Sequence, residues 1–154
     1  MSRPQLKQQT VALKRVFDAP RGRVFECWTR AEHLQHWFGP RGFTIHSCEA
    51  DPRPGGIFRL CMRSPDGKDY WVRGEYREVA APEHLVIVCA ADDDKGVERL
   101  HETIEVRFSE SGGRTTVAVH AIASGPGDEA AAMLKGMDKG WAQTIDRLGS
   151  HLRN

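Results

Sequence analysis

The chain has 154 residues with a formal net charge of +1, 40% apolar and 28% charged. That length suits one domain spanning 1–154, able to bury about 70% of its unfolded surface. Near-neutral charge excludes a general electrostatic pull toward nucleic acid or anionic lipid, and no apolar run reaches the ~20 residues of a membrane span. The N-terminus has no signal-peptide core, and Cys27, Cys48, Cys61 and Cys89 are scattered singly, so reduced thiols in a cytoplasmic protein are expected.

Residues Thr10 to Phe17 read as a first strand with Val11, Leu13 and Phe17 on one side. Pro20 suits a first helical position, and Val24, Phe25 and Trp28 form a short apolar helical face. Thr29-Arg30-Ala31-Glu32 has the spacing of a capping box opening a second short helix that carries Leu34, Trp37 and Phe38. Gly39-Pro40 ends it.

Six further strands are predicted near 43–49, 57–63, 69–79, 84–90, 99–109 and 114–123. Asp66-Gly67, Ala81-Pro82-Glu83 and Ser111-Gly112-Gly113 are among the turns between them. Links this short make consecutive strands antiparallel neighbours. One sheet face must be buried; Glu105, Arg107 and Arg114 suit the other to water.

The last stretch organises the rest. From Asp128 to Leu152, Met133, Leu134, Met137, Trp141, Ile145, Leu148 and Leu152 recur at helical steps, within an arc of about 120°. Lys135, Asp138, Lys139, Gln143 and Asp146 lie opposite, and Asp128 is placed to cap the start. One unbroken helix here is roughly 37 Å long, against roughly 29 Å for seven strands at ~4.8 Å spacing. Gly136 and Gly140, one turn apart beside the apolar arc, signal either close backbone packing or room kept open beside Met133, Met137 and Trp141. The predicted class is α+β: a curved antiparallel sheet of about seven strands around a long C-terminal helix, with two short helices after strand one.

The motifs Phe17-Asp18-Ala19-Pro20, Trp28-Thr29, Trp37-Phe38-Gly39-Pro40, Asp51-Pro52-Arg53-Pro54-Gly55-Gly56, Gly74-Glu75-Tyr76-Arg77-Glu78-Val79 and Gly140-Trp141 follow one another in an order with a known counterpart. Together they resemble the START-like helix-grip superfamily, also called SRPBCC, which includes polyketide cyclases. The nearer resemblance is to the branch of homologues of the ATPase activator of the ninety-kilodalton heat-shock chaperone. The resemblance implies a helix-grip fold and an apolar ligand held between sheet and helix. Where the family often has an aromatic residue at the end of the fifth strand, this chain reads Val88-Cys89-Ala90, which implies a different cavity shape.

Candidate ligand-binding residues are Trp37, Phe38, Phe58, Tyr76, Met133, Met137 and Trp141. Met beside aromatics suits an adaptable apolar pocket, and Tyr76 and Trp141 add polar handles; ordinary core packing explains the same stripe. Glu102 shares a strand face with Ile104 and Val106, so it is a buried carboxylate if that face is the inner one. Arg59, Arg73 and His120 are candidate partners for it. Glu102 and His101 are the weak candidates for acid–base chemistry.

His33 and His36 stand three apart on a short helix, with no third ligand at a recognisable spacing, so neither metal nor other cofactor is expected. A carrier or sensor of a lipid-like or aromatic molecule is the leading reading, ahead of a cyclase- or hydrolase-type enzyme. The third is a co-chaperone-like interaction domain. A chain of this length has no room for the activator's other domain, so a chaperone partner is not expected; homodimerisation is left open.

Overall fold

The computed structural model describes residues 6–154. The strands are β1 (Leu6–Phe17), β2 (Thr44–Ala50), β3 (Ile57–Arg63), β4 (Asp69–Ala80), β5 (His84–Asp92), β6 (Glu98–Ser111) and β7 (Arg114–Pro126). The helices are α1 (Arg21–Thr29), α2 (Ala31–Trp37), α3 (Gly127–Lys135) and α4 (Met137–Leu152). The strands form one antiparallel sheet in the order β1-β7-β6-β5-β4-β3-β2. Five consecutive hairpins lay down β2 to β7, and β1 closes the far edge on β7.

Alternation decides which face is inside. Leu85, Ile87, Ile104, Val106, Val117 and Val119 are buried against the helices, while Arg107, Arg114 and His120 are exposed. Register shifts at Ile45/Ser47, Tyr76/Glu78 and Ala91/Asp92 interrupt the ladders, and such irregularities bend a strand and increase its twist. Gly74 permits close approach within the sheet. A Cβ there would stand 2.0 Å from the Val88 carbonyl oxygen.

The C-terminal segment differs from the sequence expectation in one respect. It is two helices, of 9 and 16 residues, rather than one rod. The break falls at Gly136 (φ −87°, ψ −1°), where the helical hydrogen bonding is interrupted and the N–H turns to the Leu134 carbonyl. Glycine is the ordinary residue least favourable to helix continuation, and a new helix resumes through Gly140 N–H to Gly136 O at 2.8 Å. The amphipathic arc survives the break: Leu134, Met137, Trp141, Ile145, Leu148 and Leu152 are all buried.

The helix starts also differ. Pro20 is the N-cap of α1 rather than its first residue. Arg30, not Thr29, caps α2, with no side-chain cap bond. Thr29 Oγ1 instead donates to the Phe25 carbonyl at 3.1 Å, because Thr29 still belongs to the preceding helix. Pro126 is the N-cap of α3, again without a side-chain cap bond, leaving Asp128 in the first turn. There its charge still complements the positive end of the helix.

Aromatic side chains join the layers. Trp28 meets Trp37 edge-on at 4.8 Å between ring centroids and stacks on Trp141 at 6.4 Å, so α1, α2 and α4 share one cluster. Arg147 of α4 donates to the carbonyls of Phe38, Gly39 and Pro40 at 3.4, 2.9 and 3.1 Å, binding the end of α2 to the C-terminal helix. On the other side Arg15 of β1 pairs with Asp146.

Candidate functional site

A cavity of about 300 Å³ lies between the sheet and the C-terminal helices. Phe38 and Phe43 line it from the segment between α2 and β2, Met133, Met137 and Trp141 form the helical wall, and Val72, Leu100 and Ala123 belong to the sheet side. Glu102 is its acidic wall residue on β6, and Asp92 lines it from β5.

Gly136 and Gly140 also line the cavity. A Cβ at Gly136 would have the Met133 carbonyl oxygen as its nearest neighbour at 3.9 Å, and one at Gly140 the Pro40 Cγ at 3.7 Å. Neither distance is a clash, so close backbone packing does not account for these glycines. What the missing side chains leave is open volume.

Of the seven predicted lining residues, Phe38, Met133, Met137 and Trp141 reach the cavity. Trp37, Phe58 and Tyr76 do not; all three are fully buried core residues. Trp37 Nε1 donates to the Cys27 carbonyl at 3.0 Å, and Tyr76 Oη to the Trp28 carbonyl at 2.8 Å, so their polar atoms are already used. Met62 and Tyr70 are lining residues outside the predicted set. Val72 and Tyr70 share the inner face of β4 with Tyr76 by strand alternation, a signal present in the sequence. Of the Val88-Cys89-Ala90 stretch none lines the cavity; the next residue, Ala91, does.

Glu102 does sit on the inner face, with Ile104 and Val106. None of the candidate cations reaches it. Arg59 lies over the Trp71 ring at 4.4 Å, and Arg73 binds Asp92 through two bonds at 2.9 and 2.6 Å. His120 is on the exposed face, as is His101, because neighbours of an inward residue point outward. Among the described residues Trp141 Nε1 alone donates to Glu102, at 3.3 Å to Oε2. Desolvation pushes the Glu102 carboxyl up to about 7, against a smaller lowering by the indole bond. Glu102 is partly exposed and lines the cavity.

A carboxyl with this environment is shared between its acid and carboxylate forms near neutrality, and can therefore accept or donate a hydrogen bond. No imidazole or phenol hydrogen-bonds it among the described residues. The thiol opposite it on β5, Cys89, is held protonated by burial, and Cys48 is pushed up to about 11 for the same reason. All four cysteines are free.

No helix among the described residues is long and apolar enough to cross a membrane. The fold and the cavity together make this a domain of the ligand-binding type. A protein from Nitrosomonas europaea has a similar solved structure, with a TM-score of 0.74, 25% identity, and 94% of each chain covered. One from Rhizobium leguminosarum matches with a TM-score of 0.77 at 19% identity over 99% of both chains. An AHSA1 protein from Silicibacter pomeroyi matches with a TM-score of 0.76 at 20% identity over 94% of this chain and 98% of that one. Among curated proteins none matches. The family described as Activator of Hsp90 ATPase homolog 1-like protein matches residues 18–153, nearly the whole domain, and the chain belongs to that family.

Proposed function

We propose that this protein binds a small, mostly apolar molecule between the sheet and the C-terminal helices, as a carrier or sensor. The observation that carries the reading is the cavity beside Gly136 and Gly140, where a helix surface lacks the side chains that would fill it. Its volume of about 300 Å³ is at the small end for ligand sites. A substituted aromatic or short aliphatic molecule suits it better than a long-chain lipid. Glu102 and Trp141 supply one polar locus, able to orient a ligand hydroxyl, carbonyl or amine. Binding strength comes from apolar burial, at ~25 cal/mol per Å² before the costs of association.

Catalysis is the weaker reading. Glu102 alone has the environment of a general acid or base, but acid–base catalysis also needs a second group placed on the reacting bond. The fold alone does not supply that chemistry.

The test is to expose the purified chain to a mixed library of small aromatic and aliphatic compounds and identify by mass spectrometry what stays bound. Retained compounds should quench Trp141 fluorescence and be lost when the cavity is plugged. Retention unaffected by plugging, or no retention at all, overturns the reading.

A further inference from the structure

Away from the cavity, the fold gathers a second set of chemically active side chains. Cys27 comes from α1, His33 from the first turn of α2, and His151 from the last turn of α4. One ligand atom from each, the Cys27 thiol sulfur and one ring nitrogen of each histidine, lies within 4.8 Å of the other two. His33 Nδ1 and His151 Nε2 are 2.9 Å apart and share a hydrogen bond. His36, which the sequence pairs with His33, is not part of this group; its ring stacks on His151 at 5.6 Å between centroids.

Thiolate and imidazole are the donors that zinc takes in closed and open tetrahedral sites. With Zn–S near 2.3 Å and Zn–N near 2.0 Å, tetrahedral angles require donor atoms about 3.3–3.6 Å apart. The two histidine nitrogens must therefore separate by a few tenths of an ångström, and the sulfur must close by at most about 1.5 Å. Both changes are of the size that a side-chain rotation produces. Cys27 is 2% exposed, whereas the two histidines are half-buried. An open cleft lined by His36, Arg147, Ser150, His151 and Asn154 adjoins the group at His151. No fourth protein donor stands with these three among the described residues, which leaves the remaining coordination position to water.

We propose that Cys27, His33 and His151 form a zinc site with three protein ligands and one open position. Binding converts the Cys27 thiol to a thiolate and releases its proton to solvent. The proton shared between the two rings shifts to a ring nitrogen that does not face the ion, so each histidine binds as a neutral imidazole. The thiolate offsets one of the two charges the ion brings. Against it stands the charge of Arg23, whose guanidinium is held by the Leu152 carbonyl at 2.6 Å. The site ties the first helix, the second and the end of the chain together, and a bound ion there stabilises the folded state. It is independent of the apolar cavity and stands or falls separately from the reading of that cavity.

The experiment is a zinc titration of the full chain against a chromophoric chelator, repeated with cobalt(II) as a spectroscopic probe. One equivalent of zinc is expected, with a thiolate-to-cobalt charge-transfer band and the intense visible bands of four-coordinate cobalt. Cys27→Ser should abolish the charge-transfer band, and Cys27→Ser or His151→Gln should weaken zinc binding on the order of a hundredfold. Cys61→Ser should change neither. Circular dichroism verifies folding of each variant; if Cys27→Ser does not fold, the half-buried His151→Gln decides. Absence of stoichiometric zinc binding by the folded wild type overturns the proposal. So does binding that His151→Gln leaves unchanged.

Discussion

Trp141 on α4 donates its indole N–H to Glu102 on β6 across 3.3 Å, a side-chain hydrogen bond that joins helix and sheet in the cavity wall. The bond is made to a carboxyl that burial has already driven toward its neutral form. It favours the carboxylate, so removing the donor must push the equilibrium further toward the acid. Trp141→Phe keeps an aromatic ring and loses the N–H. Its Glu102 should titrate above the wild-type value of about 7, as followed by carbon-detected NMR of the side-chain carboxyl. An unchanged or lowered midpoint would show that the indole bond does not act on this group.

The raised Glu102 value has a definite consequence for stability. Its folded-state pKa of about 7 exceeds the ordinary 4.5, so between these values the folded protein holds the proton more tightly than the unfolded chain. Stability therefore falls as pH rises through this window, and the full penalty is present above about 7. Glu102→Gln, which cannot ionise, should remove that slope. At pH near 8 it should be more stable than wild type by on the order of 3 kcal/mol, with little difference near pH 4. Urea denaturation across pH measures this, and parallel pH profiles for the two proteins would contradict it.

Gly140 offers a graded test of the cavity. A methyl group there meets only ordinary contact with Pro40, so Gly140→Ala should stabilise the protein by about 0.5–1 kcal/mol through helix preference. Gly140→Leu keeps the helical gain but places a branched side chain toward the volume between helix and sheet. Any compound held in the cavity should then bind at least about tenfold more weakly, equivalent to ~1.4 kcal/mol. Thermal melts read the first effect and fluorescence titration the second. Retained affinity in the Leu variant would move the binding site elsewhere.

Tyr76 separates core from site. Its hydroxyl donates to the Trp28 carbonyl at 2.8 Å in a fully buried position, and it does not line the cavity. Tyr76→Phe should cost about 1–2 kcal/mol in chemical denaturation by leaving that carbonyl unpaired, while ligand affinity stays at the wild-type level. A loss of affinity without a loss of stability would reverse the assignment.

Much of this architecture is local and so was legible along the chain. Alternation and turn residues placed all seven strands, and the span 57–63 coincides with β3. Period-3.6 spacing identified the buried face from Leu134 to Leu152. Alternation also put Glu102 inward with Ile104 and Val106, and the paired Gly136 and Gly140 were readable as candidates for open space.

Other features depend on which partner a side chain meets, and no spacing encodes that. Trp37, Phe58 and Tyr76 have the composition of a pocket wall, yet packing between helices and sheet consumes them in the core. Thr29 matches a capping box but bonds backward, since the helix before it runs one residue further than the motif assumes and includes Thr29. The raised pKa of Glu102 follows from its burial, with Arg59, Arg73 and His120 engaged elsewhere or on the outer face, which the sheet's register and faces decide. Cys27, His33 and His151 are the clearest case: two of them lie 118 positions apart in the chain, and only the docking of α4 across α2 brings them together. Sequence by itself determined the elements and their buried faces, because those arise from short-range periodicity. Tertiary structure decided which groups share a cavity or a cluster, because proximity across the sheet and between helices is set by packing and not by order along the chain.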